Sequence, residues 1–284
     1  MTTTITKVGI LGCGQMGAGI AEVCAKAGFH VIAREVEQEF LDRGLAKVRS
    51  SLERLRDRDK LTAEECAAAC ERLSGTLDVA DLADCDLVVE AIIEDLAVKQ
   101  KVLAEVDEVL PATAILATNT SSLTVTELAM ATSRPDRFVG LHFFNPVPVM
   151  RLVEVIRTLM VQEDIVDLVV DFCARLDKEP IRCRDNSGFI VNRLLVPYLL
   201  DAIRALEEGT GTLEEIDTGM RLGCGHPMGP FTLLDFIGLD TCYYIANIMF
   251  DEYREKRFAP PSLLKQMVQA GRLGRKSGEG FYTY

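Results

Sequence analysis

Residues 7–35, "KVGILGCGQMGAGIAEVCAKAGFHVIARE", decide the fold of this chain. A short apolar run, "KVGIL", leads into a glycine-rich turn, which is followed by a stretch with helical periodicity and by a second apolar run, "HVIARE". Gly12, Gly14 and Gly17 stand between the first strand and the helix with the spacing G-x-G-x-x-G. This order predicts a β-α-β unit of a parallel sheet, with the glycines at the mouth of the helix.

The glycine spacing suits a turn that holds phosphate. Gly12 permits the tight turn, Gly14 lets the main chain approach a pyrophosphate, and Gly17 allows close packing of helix on strand. A helix N-terminus also attracts an anion. We therefore predict a dinucleotide site at this turn and include in it Gln15 and Met16, which lie between the glycines.

Glu35 ends the second predicted strand, 18 residues after Gly17. This is near the spacing of the carboxylate that accepts hydrogen bonds from the adenosine ribose hydroxyls, which favours NAD as the cofactor. The neighbouring residue is Arg34, a cation that could accommodate a 2′-phosphate, so NADP stays open as the alternative.

Short apolar runs and helical stretches continue to alternate up to about residue 186. Strands are predicted at "KVGILG", "HVIARE", "DLVVEAI", "AILATN", "RFVGLHFF", "MRLVEVIR" and "PIRCR", and helices at 15–27, 37–55, 62–73, 96–109, 125–131 and 164–176. Continuous apolar strands that alternate with helices are typical of a doubly wound, mostly parallel α/β sheet that is covered on both faces.

The pattern changes after "DNSGF", where only helical periodicity remains. We therefore predict two domains, a dinucleotide-binding domain over 1–186 and a smaller helical domain over 187–284. Two long apolar helices are expected at 188–207 and 229–250. A domain of about 100 residues offers them little cover, so a subunit interface of a homodimer is expected there, with packing on the first domain as the alternative.

Composition narrows the possible partners and compartments. The chain has 284 residues with 31 basic and 43 acidic side chains, a formal net charge of -12, which argues against a nucleic-acid surface. Neither a signal peptide nor a membrane-spanning stretch is expected, so we predict a cytoplasmic protein without membrane partners. Its nine cysteines form no zinc-ligand pairs, and we expect reduced thiols and no bound metal.

The stretch "GLHFFNPVPVMRLVEV", residues 140–155, interrupts two apolar runs with polar residues. If the strand ending near Phe143 pairs with one starting near Met150, about a turn at 147–149, then His142 and Glu154 fall opposite one another on one face. Such a pair would fix the tautomer of the imidazole. The alternative is a core histidine and an edge-strand glutamate without catalytic roles.

Seven motifs follow one another in an order that resembles the L-3-hydroxyacyl-CoA dehydrogenase family, including its bacterial 3-hydroxybutyryl-CoA members. The motifs are "GCGQMGAGIAEV", "LVVEAIIED", "NTSSL", "GLHFFNPVPVMRLVEV", "GFIVNRLLVPYL", "HPMGPFTLLDFIGLDT" and "GRLGRKSGEGFYTY". The resemblance covers essentially the whole chain. It implies a Rossmann-type NAD-binding domain followed by a helical domain that binds substrate and forms the dimer.

The resemblance implies roles for four catalytic residues. His142 matches the acid/base of "HFFNP", and Glu154 matches its partner carboxylate. Imidazole titrates closest to neutral pH, and the other two histidines lie outside the polar motifs of the nucleotide domain. Ser121 matches the serine that bonds substrate and cofactor, and Asn192 matches the residue of the helical domain that touches the acyl group.

Each of the last two residues also has a structural alternative. Ser121 could cap the next helix, although "TVTE" at 124–127 is expected to supply a capping box of its own. Asn192 could form a hydrogen bond between helices. The resemblance assigns further cofactor contacts to Glu94, Lys99, Asn119, Asn145 and Lys276, although the charged ones among them could be ordinary surface residues and an Asn-Pro turn needs no such role.

Arg54 and Arg58 stand four apart on a predicted helix, near where family members hold the CoA phosphates. A pair of guanidinium groups suits phosphate. This sequence departs from a purely basic patch, because Asp57 and Asp59 are interspersed, and a salt-bridged exposed helix is the alternative.

The implied activity is reversible NAD-dependent oxidation of an (S)-3-hydroxyacyl-CoA, of short chain such as 3-hydroxybutyryl-CoA, to the 3-oxoacyl-CoA. One alternative is a dehydrogenase of hydroxyacyl groups on an acyl carrier protein. A more distant one is a non-catalytic, crystallin-like structural protein, since the family includes lens crystallins.

Overall fold

The computed structural model describes residues 4–284. The chain forms two compact units, whose boundary lies between Asp185 and Asn186. The first unit is an α/β structure and the second is helical.

The first unit contains one eight-stranded sheet with the strand order β3-β2-β1-β4-β5-β6-β7-β8. The strands are β1 Lys7–Leu11, β2 His30–Arg34, β3 Leu73–Thr76, β4 Leu87–Glu90, β5 Ile115–Thr118, β6 Phe138–Phe143, β7 Leu152–Arg157 and β8 Glu179–Arg184. All neighbouring strands pair in parallel except β6 and β7, which are antiparallel. The predicted mostly parallel, doubly wound sheet is confirmed.

Six helices cover this sheet. They are α1 Gln15–Lys26, α2 Gln38–Arg56, α3 Ala63–Glu71, α4 Leu96–Val109, α5 Val125–Ala129 and α6 Glu163–Arg175. Every residue of β4, β5 and β6 is buried, as expected of strands with helices on both faces. The apolar runs therefore form the core, and the polar residues at their ends lie at the edge where the loops begin.

The edge strand β3 was not predicted, because "LSGT" is short, polar and without alternation. It pairs with β2 from Val31↔Leu73 to Arg34↔Thr76. A Cβ on Gly75 would lie 2.7 Å from Leu45 Cδ1, so glycine lets α2 approach the strand closely. The strand is defined by these contacts rather than by its own sequence pattern.

The second unit is built from five helices around a separate apolar core. They are α7 Val191–Glu207, α8 Leu213–Gly223, α9 Pro230–Ile237, α10 Leu239–Tyr253 and α11 Ser262–Gln269. The prediction of one helix over 229–250 was wrong, since the chain bends by 94° between α9 and α10. Gly238 makes the break with φ of +101°, a conformation that side chains with a Cβ rarely adopt.

The helices and the cysteines bear on the expected absence of membrane spans and of disulfides. Within residues 4–284 no single helix has the length and apolar composition to cross a membrane, although the bent pair α9 and α10 together passes that test. All nine cysteines are free thiols, and seven of them are buried. The reduced state of these thiols stays a prediction.

Candidate active site

The fingerprint turn joins β1 to α1 and leaves open space at the helix N-terminus. Gly12 has φ of +88°, and a Cβ there would lie 2.8 Å from the carbonyl oxygen of Ala91. A Cβ on Gly14 would meet no atom within 4 Å, and no side chain caps α1. Met16 packs its side chain against the core, so its main chain is the part available to a ligand. Main-chain N–H groups at an uncapped helix end suit an anion.

Gly17 fixes the distance between the turn and the helix. A Cβ at this position would lie 1.9 Å from the carbonyl oxygen of Gly12, so no side chain fits there. The third glycine of the motif is therefore required by packing, as the sequence spacing predicts.

Glu35 directly follows β2, and two main-chain N–H groups hold its carboxylate. Oε1 accepts a hydrogen bond from Cys13 N at 2.6 Å, and Oε2 accepts one from Val36 N at 3.1 Å. A cavity of about 370 Å³ opens beside this carboxylate and the fingerprint turn. Its lining residues are Cys13, Gly14, Gln15, Glu35, Phe40, Arg43, Gly44 and Lys47. A carboxylate held in this way keeps lone pairs for hydroxyl donors, as ribose recognition requires.

Arg34 is the cation that could accommodate the 2′-phosphate of NADP, and it is the last residue of β2. Its carbonyl oxygen accepts a hydrogen bond from Gly12 N at 2.9 Å, and its Nε is buried without a partner among residues 4–284. Arg43 and Lys47 are cations that line the cavity beside Glu35. The preference for NAD over NADP stays a prediction that rests on Glu35.

His142 and Glu154 form a buried hydrogen-bonded pair across β6 and β7. The strand register places them opposite one another, as their spacing predicts. His142 Nδ1 lies 2.7 Å from Glu154 Oε2, and the two residues are 4% and 0% exposed. The ring of Phe144 lies against the imidazole, with the centroids 4.5 Å apart. When Nδ1–H donates to an ionised Glu154, proton exchange with a ligand takes place at Nε2.

Asn119 and Asn145 connect the segment that follows His142 to two other parts of the first unit. Asn119 is buried after β5, and its Oδ1 accepts a hydrogen bond from Phe143 N at 2.9 Å. Asn145 Oδ1 accepts a hydrogen bond from Gln15 Nε2, also at 2.9 Å. Gln15 is the first residue of α1, so this second bond joins the fingerprint turn to the segment that follows His142.

One carboxylate oxygen of Glu94 accepts several hydrogen bonds from the loop after β5. Its Oε1 accepts hydrogen bonds from Thr120 Oγ1 at 2.6 Å and from Ser121 N at 2.9 Å. Ser122 Oγ donates to the same oxygen at 3.1 Å. Burial by itself raises the pKa of Glu94, but the charge of Lys99 and these hydrogen bonds outweigh it and lower the pKa. The loop that carries Ser121 is therefore fastened to an ionised carboxylate.

Lys99 lies beneath that loop in a buried network. Its Nζ is 2.6 Å from Glu90 Oε1 and 3.2 Å from Glu94 Oε2, and the side chains of Lys99 and Glu90 are 1% and 0% exposed. Glu90 also accepts hydrogen bonds from Thr118 Oγ1 at 2.6 Å and Ile92 N at 2.7 Å. Glu90 was not predicted as a site residue, although a carboxylate in an apolar strand is the same kind of signal that marked Glu154.

The predicted capping box at 124–127 was wrong. Thr124 is the N-cap of α5, but its side chain makes no capping hydrogen bond. The carboxylate of Asp185 accepts instead, from Val125 N at 3.0 Å and from Thr126 N at 2.6 Å. Asp185 directly follows β8 and accepts hydrogen bonds from the first N–H groups of α5. The two segments are far apart in sequence, so neighbouring residues alone could not predict this cap.

A second cavity, of about 630 Å³, lies along α1, α2 and the segment after β6. Its cationic lining residues are Lys26, Lys47, Arg54, Arg58 and Lys60. Helix α2 ends at Arg56, so the prediction that Arg54 and Arg58 share a helix was wrong. Both arginines nevertheless line this one cavity, together with three lysines that were not predicted as site residues. Glu22 lies among them, and burial raises the pKa of its carboxyl.

The remaining predicted residues belong to the second unit. Asn192 lies in the first turn of α7 and is partly buried. Lys276 follows α11 and forms an ion pair with Asp240, with Nζ 2.7 Å from Oδ2. Both stay predictions as ligand contacts.

Comparison with known proteins agrees with these features. The model of the 3-hydroxyacyl-CoA dehydrogenase NAD binding domain matches residues 7–186, and the model of the C-terminal domain of 3-hydroxyacyl-CoA dehydrogenase matches 188–284. A 3-hydroxybutyryl-CoA dehydrogenase of Mycobacterium tuberculosis is 48% identical over 286 residues, with both chains covered completely. Human mitochondrial hydroxyacyl-coenzyme A dehydrogenase is 45% identical over 289 residues, which cover 99% of this chain and 91% of the human one.

A solved structure extends the likeness to three dimensions. The crystal structure of (S)-3-hydroxybutyryl-CoA dehydrogenase from Ralstonia eutropha matches with a TM-score of 0.96 at 44% identity and covers 99% of each chain. The chain therefore belongs to the 3-hydroxyacyl-CoA dehydrogenase family, and it is an enzyme of the NAD-dependent dehydrogenase class. The family resemblance and the fold class inferred from the sequence are confirmed.

Proposed function

We propose that this enzyme catalyses the reversible oxidation of an (S)-3-hydroxyacyl-CoA to the 3-oxoacyl-CoA, with NAD, on short chains such as 3-hydroxybutyryl-CoA. The observation that carries the proposal is the buried His142–Glu154 pair, with 2.7 Å between Nδ1 and Oε2. The short acyl chain is supported by relatives named 3-hydroxybutyryl-CoA dehydrogenase at 44% to 48% identity.

The residues of the first unit fit a dinucleotide. The uncapped N-terminus of α1 and the open space at Gly14 suit a pyrophosphate, and the held carboxylate of Glu35 suits ribose hydroxyls. The proposed NAD contacts in this unit are Gly12, Gly14, Gln15, Met16, Gly17, Glu35, Glu94, Lys99, Asn119, Ser121 and Asn145. The family motif "GRLGRKSGEGFYTY" alone adds Lys276 of the second unit. When bound, NAD supplies the acceptor for the hydride that leaves the hydroxyl-bearing carbon.

His142 is the proposed general base for oxidation and general acid for reduction. With Nδ1 bonded to Glu154, Nε2 takes the proton of the substrate hydroxyl, and the imidazole becomes an imidazolium. Glu154 is 0% exposed, so its negative charge stabilises that cation in surroundings of low dielectric constant. Reversibility follows because the same imidazolium returns its proton when a 3-oxoacyl substrate is reduced.

Ser121 is proposed to donate a hydrogen bond to the thioester carbonyl of the substrate. Its loop is fastened by Glu94, and a donor with a fixed position stabilises developing charge better than a mobile one. Asn192 is a proposed contact of the acyl group, and its support is the family motif "GFIVNRLL" alone.

The cationic cavity is the proposed site of the CoA phosphates. Arg54 and Arg58 line it together with Lys26, Lys47 and Lys60, and phosphate groups form strong hydrogen bonds with such cations. A local cluster of this kind explains how a chain with a net charge of -12 can hold an anionic substrate.

The direct test is turnover of acetoacetyl-CoA with NADH, followed by the loss of absorbance of the reduced nicotinamide. Activity with a C4 to C16 series of 3-oxoacyl-CoA substrates, run with NADH and NADPH, measures chain length and cofactor preference. Failure to turn over any chain length would contradict the proposal. Faster turnover of the same acyl group on an acyl carrier protein would favour the carrier-protein alternative.

The His142→Gln variant tests the acid/base role. We expect the rate to fall on the order of 10²- to 10⁴-fold with little change in NADH binding, the range for a missing general acid/base. His30→Gln is the matched control, because His30 is exposed at the start of β2. Equal losses in both variants would contradict the assignment.

The Arg58→Gln variant tests the CoA site. We expect KM for acetoacetyl-CoA to rise about tenfold, the effect of losing about 1.4 kcal/mol from a charged contact. The acetoacetyl thioester of N-acetylcysteamine lacks the nucleotide, so its KM should stay unchanged. Arg49→Gln, an exposed arginine on α2, is the control. An equal rise in KM for both thioesters would argue against phosphate binding by Arg58.

We also propose a cytoplasmic homodimer that assembles through the second unit. This unit exposes large apolar side chains, with Leu194 and Leu222 each 70% exposed. The free state of all nine cysteines supports a reducing compartment. Light scattering of the purified protein tests the dimer, and a monomer over the whole micromolar range would contradict it.

A further inference from the structure

Lys178 is a buried lysine that the proposed chemistry does not use. It immediately precedes β8 and is 7% exposed. Its Nζ donates hydrogen bonds to the carbonyl oxygens of Val147 at 2.6 Å and Met150 at 2.9 Å. Burial lowers the pKa of this ammonium group, and the nearby charge of Lys26 adds to the effect. Both acceptors are neutral carbonyl groups, and a buried cation with such partners costs free energy unless its contacts are needed.

The carbonyl groups that Lys178 holds belong to the β6–β7 loop, residues 144–151, which joins the strands of His142 and Glu154. This loop is closed on itself, because Val149 N and Met150 N both donate to the carbonyl oxygen of Pro146 at 3.0 Å. The two hydrogen bonds from Lys178 join further parts of this loop to the start of β8. The loop therefore has a defined shape that depends on one side chain from another strand.

On its other side the β6–β7 loop lies against α1. A Cβ on Gly19 would lie 2.9 Å from Val147 Cβ, which shows how closely the loop and the helix approach. Asn145, in the same loop, bonds Gln15 at the start of α1. Residues 145–149 also form one wall of the cationic cavity. Lys178 therefore holds a segment whose other contacts are with α1 and with the cationic cavity.

We propose that Lys178 is a positioning residue, whose ammonium holds the β6–β7 loop so that Asn145 lies correctly for the nicotinamide. The inference rests on the proposed function, since it gives Asn145 its role. Lys178 contacts neither ligand in this assignment and acts through the loop. The competing view is that Lys178 contributes only to stability.

The Lys178→Met variant separates these views. We expect kcat to fall about 10- to 100-fold, because a displacement of about 1 Å at a reacting group has effects of this size. The dissociation constant of NADH should change less than about threefold, since the fingerprint turn and Glu35 are untouched. Arg175→Met is the matched control, because Arg175 Nη1 also donates to a main-chain carbonyl, that of Ile5, at 3.0 Å. It should lower thermal stability and leave kcat unchanged.

A double-mutant cycle with Asn145→Ala tests whether Lys178 acts through the loop. In the Asn145→Ala background, Lys178→Met should change kcat less than about threefold, because coupled residues do not give additive effects. Independent effects that multiply would overturn the proposal, as would an unchanged kcat in Lys178→Met itself. If Lys178→Met does not fold, Lys178→Gln, which keeps an N–H donor, takes its place in the cycle.

Amide hydrogen exchange gives a second readout that does not need turnover. Protection of the Val149 and Met150 amides should fall by about tenfold or more in the Lys178 variant, while the amides inside β8 keep theirs. Unchanged protection of the loop would overturn the proposal. Absence of wild-type turnover with intact loop protection would contradict the proposed function instead, so the two failures are distinguishable.

Discussion

Glu90 and Glu154 are both 0% exposed carboxylates of the same sheet, but their partners differ. Glu90 ends β4 and is bonded by the ammonium of Lys99, the hydroxyl of Thr118 and a main-chain N–H. Glu154 lies within β7 and is paired with the imidazole of His142 at 2.7 Å.

The difference between the two partners separates a fixed support from a pair to which the proposed function assigns proton exchange. Glu90 is held by an ammonium, a hydroxyl and a main-chain N–H, so its network supports the loops around it. Imidazole changes its charge near neutral pH, so a buried carboxylate beside it can stabilise a cation that forms and disappears during reaction. The same feature of sequence, an acidic residue in an apolar strand, thus occurs with two different kinds of partner.

The largest effect should come from removing the charge of Glu154. In Glu154→Gln we expect kcat to fall about 10²- to 10³-fold, because the imidazolium loses its counter-charge while an amide of similar size remains. Steady-state turnover of acetoacetyl-CoA with NADH measures the change. Thermal unfolding of the variant should stay a single cooperative transition.

The control for this variant is Glu179→Gln. Glu179 starts the neighbouring strand β8, is exposed and pairs with Arg151 at 2.8 Å, so its removal should change kcat less than twofold. A Glu154→Gln enzyme with wild-type kcat would remove the distinction between the two carboxylates.

The next effect concerns stability rather than rate. Glu90→Gln leaves Lys99 buried with a weaker partner, and we expect it to lower the free energy of unfolding by about 3 kcal/mol. Urea denaturation measures this loss. The control is Glu105→Gln on the same helix as Lys99, whose ion pair with Lys101 at 4.0 Å is exposed and should contribute less than about 0.5 kcal/mol.

A second substitution sharpens the test of the Glu90 network. Combining Glu90→Gln with Lys99→Met removes the buried ammonium that has lost its nearest carboxylate, so the double variant should recover part of the lost stability. If the double variant loses more stability than the two single variants lose together, the charges of Glu90 and Lys99 do not explain the stability of this network.

The smallest effect is a pH dependence at Glu94, whose pKa is lowered in the folded state. A carboxyl with a depressed pKa adds stability above its unfolded pKa and loses it as the pH falls through the folded value. The free energy of unfolding of the wild type should therefore exceed that of Glu94→Gln by about 1 kcal/mol at pH 7. This difference should shrink towards pH 3. Urea titrations at both pH values measure it, and a difference that grows in acid would contradict the assignment.

Much of the first unit could be predicted because its signals are local. The helix α4 has the bounds expected from periodicity, and the fingerprint turn has the close contacts that its glycines require. The pairing of His142 with Glu154 was also predictable, since the apolar pattern of two consecutive strands and the loop between them set their register.

The features that were missed or wrongly predicted depend on contacts between distant segments. Strand β3 exists because β2 offers a pairing edge, and α5 is capped by Asp185 rather than by its own residues. The break at Gly238 divides an apolar run whose composition alone favours one long helix.

By itself, the sequence determined most of the strands and helices, the dinucleotide turn, the pairing of His142 with Glu154 and the family. These depend on periodicity, on glycine geometry and on short spacings, all of which are written in consecutive residues. Only the tertiary structure decided that five cations from α1, α2 and the following turn line one cavity, that Glu90 anchors Lys99, and that Lys178 holds the β6–β7 loop. Packing brings these groups together from distant parts of the chain, and no local pattern specifies which of many charged residues will meet.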